Sequence, residues 1–185
     1  AGVGVWWLYT LMTVAIQWSA GIPYANWFKT AAAAWRTGVL SLAAGVALLV
    51  VLARVLRWDH VWRDPLRLPT SPAMKAAMAF WWASIALRAV GIEWARVPTD
   101  LLLAILASGV LVGFAEELLF RGLFLRGMRA GGRSEAAAAI GTAAAFGLFH
   151  LPNVFMGTGA IGLVQIVLAG VSGLVRYAFV SPGLA

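Results

Sequence analysis

Apolar residues run along this chain in helix-length blocks, separated by short segments where glycine, proline and charge collect. The blocks cover about Val3–Ala20, Thr37–Leu56, Ala76–Val90, Leu101–Met128, Ser134–His150 and Ala160–Val180. They are rich in Ala, Leu, Val and Gly, and they lack the ten-residue alternation of a membrane barrel. A helix of about 20 apolar residues crosses a bilayer core while satisfying its own backbone. The pattern therefore predicts an all-α, polytopic bundle of about six membrane-spanning helices, with residues 1–185 forming one integral membrane domain.

The punctuation agrees with these blocks. Gly21-Ile22-Pro23 closes the first. The stretch Arg57–Lys75, with Asp59, His60, Asp64, Pro65, Pro69 and Pro72, is the most polar connection, and His60 reads as a surface or interfacial residue there. Pro98-Thr99-Asp100 is a helix start, Arg129–Arg133 a turn, and Ser134-Glu135 a second start. The fifth block is expected to reach His150 and to stop at Pro152. Trp6, Trp7, Tyr9 and Trp18 near the ends of the first block read as an aromatic belt at headgroup level. Small residues at Ala137-Gly141-Ala145 and Ala169-Gly173 predict close helix packing.

Composition sharpens the class. Hydrophobic residues make up 62% of the chain and charged ones 11%, against about 25% charged in soluble domains. The net charge of +7 is spread over connections between apolar blocks, which fits an anionic membrane surface and excludes a nucleic-acid footprint. Cysteine is absent, so disulfides and thiol catalysis are excluded. Arg far outnumbers Lys, as in high-GC bacterial genomes. Basic residues gather in two connections: Arg54, Arg57, Arg63, Arg67 and Lys75 in one, Arg126, Arg129 and Arg133 in the other. The positive-inside rule puts both, and the N-terminus, on the cytoplasmic side of a multi-pass cell-membrane protein. The start does not resemble a cleavable signal peptide.

Candidate chemistry lies where charge interrupts an apolar block. Gly113-Phe114-Ala115-Glu116-Glu117-Leu118-Leu119-Phe120-Arg121-Gly122 carries two carboxylates and a guanidinium. Each charge at a helix centre costs roughly 2.5–3.5 kcal/mol on insertion scales. Glu117 and Arg121 stand at i and i+4 with the acid first, the favourable order for a pair, while Glu116 points about 100° away and is free to face a cavity. Two neighbouring carboxylates in a low dielectric resist joint ionisation, which suits a base that takes a proton from water. On the next helix Phe146 and His150 share a face, and Gly147 leaves room for a backbone, a water or a peptide. Counting about 1.5 Å per residue, Glu117 and His150 fall at matching depth. The arrangement is compatible with hydrolysis, with an intrahelical structural lock plus an interhelical histidine hydrogen bond, and with a proton or ion path.

Glu116-Glu117-x-x-x-Arg121 followed by Phe146-x-x-x-His150 resembles the first two motifs of the CAAX prenyl protease and bacteriocin-processing (CPBP, or Abi) family of intramembrane endopeptidases. The likeness covers roughly Ile105–Ala185 and implies a family core of about eight helices. It implies that Glu116 activates the attacking water, Glu117 and Arg121 order the site, and His150 supports the tetrahedral intermediate, with Phe120, Phe146 and Gly147 at the substrate. It implies a peptide or membrane-protein substrate within the lipid bilayer, and no nucleic acid. A metal-free glutamate mechanism is expected; the alternative is zinc held by Glu116, Glu117 and His150, since His60 and His150 are the two histidines. The family's third motif, His-x-x-x-Asn or His-x-x-x-Asp, is not met by Ala185, although Gly170–Ala185 is similar to the stretch leading into it. The expectation is a piece of a longer protease or a member without that part of the oxyanion machinery. The alternative functions are a non-catalytic member acting in bacteriocin immunity or as a membrane scaffold, and a proton-coupled transporter subunit.

Overall fold

A computed structural model of the chain describes residues 2–62 and 72–180. The expected loop residues Asp64, Pro65 and Pro69 and the tail Ser181–Ala185 lie outside the described residues. Among the described residues all regular structure is helical, as the apolar pattern predicts, and six long helices follow one another. They are α1 (Gly2–Ser19), α2 (Ala31–Val55), α3 (Pro72–Val90), α4 (Thr99–Ala130), α5 (Glu135–Met156) and α6 (Ala160–Val180). By length and composition, α2, α4 and α5 are each able to cross a membrane alone.

Local chemistry sets the ends. Thr30 accepts a hydrogen bond from the Ala33 amide and starts α2 earlier than its apolar block. The Asp100 carboxylate accepts from the Leu101 amide in the first turn of α4, and Ser134 caps α5 through the Ala137 amide. Gly159, at φ 53°, makes the turn into α6. The break in α5 differs from expectation. Its regular part ends at Leu148, Phe149 and His150 form a turn, and Pro152 sits inside the next short helical piece, Leu151–Asn153. Proline lacks an amide donor that the first turn of a helix does not use, so it opens that piece instead of ending the previous one.

The helices form two compact units, Ala1–Trp62 with Val97–Gly132 and Arg63–Arg96 with Arg133–Ala185. In the first, α1, α2 and α4 pack on one another. The α1–α2 seam is held at Gly45, where a Cβ would lie 2.4 Å from the Tyr9 ring, and by Gln17, whose amide donates to the Ser41 hydroxyl at 3.2 Å. Tyr9 is therefore core, 3% exposed, and does not belong to the aromatic belt; its neighbour Trp7 stays exposed. At the far end of α2 the chain turns back on itself. The Trp58 amide donates to the Ala53 carbonyl and the Arg57 amide to the Arg54 carbonyl, the paired bonds of a Schellman cap. The cap places Arg57 at φ 53° and sends the turn Asp59–Trp62 against α4, with Val61 over Gly122.

In the second unit α6 packs along α5 and also against α3. The α5–α6 contact is close because small residues meet. A Cβ on Gly147 would fall 2.7 Å from the Ile166 carbonyl oxygen, and one on Gly173 would fall 3.1 Å from the Ala143 Cα. The expected Gly173 contact is present. The expected stripe Ala137-Gly141-Ala145 is not the packed face: α5 buries Ala138, Ala139, Thr142, Ala143, Phe146 and Gly147 instead.

Large apolar side chains cover the outside of both units. Leu106 and Val110 on α4, Phe80, Leu87 and Val90 on α3, and Ile161 and Val167 on α6 all stand exposed. On a soluble protein such a surface drives association. On membrane helices it faces acyl chains without penalty.

Two outcomes follow from the packing. Gly147→Ala, whose Cβ meets a backbone carbonyl, lowers the midpoint of thermal aggregation in detergent, while Gly113→Ala, whose Cβ meets open space, leaves it unchanged or raises it. Arg57→Gly relieves the left-handed conformation and raises unfolding stability by roughly 0.5–1 kcal/mol, measurable as a shift in the denaturation midpoint.

Candidate active site

The sequence places its charges on α4, and the backbone there is not an ordinary α-helix. From Glu117 to Leu125 the hydrogen bonds step to i→i+5, a π-helical stretch of nine residues. Such turns are rare, and they concentrate at functional sites because the wider turn redirects side chains. Shorter π segments occur at Ala34–Val39 and Val154–Thr158. The wide turn is enclosed by α1 on one side and the Asp59–Trp62 turn on another, so Ala115, Glu116, Leu118, Leu119, Phe120 and Gly122 are all buried.

The two glutamates take different environments. The Glu117 carboxylate accepts a hydrogen bond and an ion pair from the Arg121 guanidinium, as the i, i+4 spacing predicts. The arginine side chain is 13% exposed and the glutamate 45%, so the cation is covered and the anion lies toward the surface of the unit. Glu116 is 8% exposed. Its carboxyl group lies within electrostatic reach of the buried Tyr9 hydroxyl. Phe120 stacks on Phe124 with ring centroids 5.6 Å apart, closing the buried side of the stretch.

In the second unit His150 occupies the turn that interrupts α5, at φ −86° and ψ −2°, the bridge region that many active-site residues adopt. Its amide donates to the Gly147 carbonyl. Its Nδ1 lies 3.0 Å from the Phe146 carbonyl oxygen. A carbonyl only accepts, so this bond puts the proton on Nδ1 and leaves Nε2 as the nitrogen able to exchange one. The Phe146 and Phe149 rings meet the imidazole edge to face, with centroids at 5.2 and 5.7 Å, and fix its plane. The space beside Gly147 is filled by the Ile166 carbonyl of α6, so that room goes to a helix backbone.

The structure thus brings Glu116, Glu117, Phe120 and Arg121 together in one unit, and Phe146, Gly147 and His150 together in the other. His60 sits in the Asp59–Trp62 turn. A peptidase zinc needs three protein ligands and an open position. Among the described residues no three histidine, aspartate or glutamate side chains are grouped to supply them. Three polar features escaped the sequence reading: the Glu116 charge within electrostatic reach of the buried Tyr9, the Asn153 amide donating to the Gln165 carbonyl oxygen at 3.0 Å, and the Tyr177 hydroxyl donating to the Glu135 carboxylate. Tyr9, Thr13 and Gln17 at four-residue spacing are a polar stripe on α1, the one sequence signal that pointed to the first of these.

Residues 98–181 match the family model of the type II CAAX prenyl endopeptidases, described as Rce1-like. No curated protein and no solved structure matches the chain. The matched stretch contains the buried Glu116, the Glu117–Arg121 pair and the His150 turn. Over that stretch, somewhat less than half of the chain, the protein is similar to the CAAX-protease-like membrane endopeptidases of the CPBP family.

Proposed function

We propose that the protein is a CAAX-protease-like intramembrane endopeptidase that hydrolyses a peptide bond with glutamate-activated water. The observation that carries this reading is the burial of Glu116 next to a carboxylate already neutralised by arginine, within the family-matched segment. Glu116 is the buried member of the two acids, and the family-matched segment carries both. A carboxylate kept out of bulk water, on a helix held from two sides, is a base positioned in advance of the reaction.

In the proposed step Glu116 takes a proton from water as the water oxygen bonds to the scissile carbonyl carbon. The carbonyl π electrons move to its oxygen. Collapse of the tetrahedral intermediate breaks the C–N bond, and the proton held by Glu116 passes to the leaving amine. Glu117 and Arg121 hold the wide turn in register. In the second unit His150, with Nδ1 engaged by the Phe146 carbonyl, keeps Nε2 as its outward donor or acceptor. Phe120 supplies apolar surroundings for the substrate chain beside Glu116 in the first unit. The step uses no metal, as in the glutamate mechanism that the sequence resemblance implies. The substrate is a peptide or membrane-protein segment presented from the bilayer, and the cytoplasmic N-terminus in a cell membrane rests on the distribution of basic residues.

The purified full chain in liposomes, given a fluorogenic farnesylated CAAX peptide, is expected to cleave it. Glu116→Gln lowers kcat by about 10²–10⁴-fold, the range of a lost general base, with unchanged helical circular dichroism. Equal turnover by the variant, or no turnover by the parent chain, rejects the reading. Arg121→Ala leaves the Glu117 carboxylate without its counter-charge and lowers both kcat and the thermal midpoint, which separates its role from that of Glu116.

A further inference from the structure

The N-terminal helix lies outside the family-matched residues 98–181, yet its buried tyrosine stands at the level of Glu116. Two fixed points set the register. At one end a Cβ on Gly2 would meet the Leu123 Cβ at 3.8 Å. At the other, Gln17 donates to Ser41 on α2, and one turn along α2 a Cβ on Gly38 would lie 2.7 Å from the Ser108 hydroxyl of α4. The helices α1 and α4 therefore run antiparallel, with Gly2 beside Leu123 and Gln17 near the level of Ser108. Tyr9 is seven residues beyond Gly2, and Glu116 is seven residues before Leu123. At about 1.5 Å per residue both sit midway between the fixed points, within a helical turn of each other.

The tyrosine ring has no freedom to leave that position. It lies on the bare backbone of Gly45, where any larger residue would collide with it, and the Thr13 methyl borders the same slot. Thr13 in turn donates its hydroxyl to the Tyr9 carbonyl at 2.9 Å, so it does not compete for the phenol. The hydroxyl and the Glu116 carboxylate interact electrostatically.

We propose that Tyr9 is a positioning residue for Glu116: seated in the Gly45 slot, its phenol hydroxyl donates to the carboxylate and fixes the orientation in which Glu116 works. The proposal rests on the reading of Glu116 as the base, but its test does not need turnover. A phenol that donates to one carboxylate oxygen leaves the other to meet water, and it shields the group from reagents that enter from the bilayer.

The test uses the full chain in phospholipid nanodiscs and dicyclohexylcarbodiimide, a lipid-soluble reagent that adds to a protonated carboxyl group without releasing a leaving group. Adducts on Glu116 and Glu117 are resolved by peptide mass spectrometry, with Glu116→Gln and Glu117→Gln to assign them. In Tyr9→Phe, labelling of Glu116 relative to Glu117 rises roughly three- to tenfold, the factor that one lost hydrogen bond represents. Gly45→Val, which forces the ring out of its slot, gives the same ratio. An unchanged ratio in Tyr9→Phe overturns the proposal, as does a parallel rise at both glutamates, which would mean general loosening. A parent chain that cleaves no peptide, yet shows the ratio change, removes the peptidase reading and leaves the Tyr9–Glu116 contact standing.

Discussion

The cost of keeping ionisable groups inside an apolar helix governs the arrangement of the first unit. Arg121 is nearly covered and is compensated within its own helix by Glu117. Removing Glu117 would take from the covered guanidinium its partner in the same helix, a larger loss than the pair itself is worth. That compensation is local to one helix. Glu116 is left to be satisfied by the interior of the bundle, and the π-helical turn that follows gives the two adjacent acids separate environments.

Close approach of helices is the second constraint, and glycine provides it at each seam. Gly45 admits the Tyr9 ring, Gly122 admits Val61, and Gly147 admits a carbonyl of α6. Without a hydrophobic drive between helices in lipid, such contacts supply much of the association through dispersion and short polar bonds. Each of these glycines also lies within a turn of a residue assigned to the site or beside one that touches it. Packing and site geometry are therefore the same problem here, and a methyl group added at a seam moves a functional side chain.

The helices were legible in the sequence because long apolar blocks, bounded by proline, glycine and capping residues, have few other solutions in a membrane. The Glu117–Arg121 pair was legible because it is set within a single helix. The packed face of α5 was not. Its sequence places alanine at 136–139 and again at 143–145, so small-residue spacing recurs on several faces and cannot choose among them; Phe146 and Thr142, which need partners, mark the buried side. Tyr9 was misread for a related reason. Beside Trp6 and Trp7 it looks like one more interfacial ring, and only its register with Thr13 and Gln17 distinguishes it. The π-helical turn carries no composition signal of its own, since the choice between i→i+4 and i→i+5 bonding is made by what encloses the helix. The break at His150 was placed correctly, but with Pro152 given the wrong part: the proline begins a helix there.

Neither unit is continuous along the chain. The first takes α1 and α2, then α4; the second takes α3, then α5 and α6. A ribosome releasing this protein vectorially delivers α3 before the helix it packs against exists, and delivers α4 after its two partners have already been threaded through the translocon. Each unit must therefore stay unfinished while a member of the other is inserted. Among the described helices α3 is not one of those long and apolar enough to cross a membrane alone, so although Phe80, Trp82, Leu87 and Val90 face outward, its settling in the bilayer depends on the later arrival of α6.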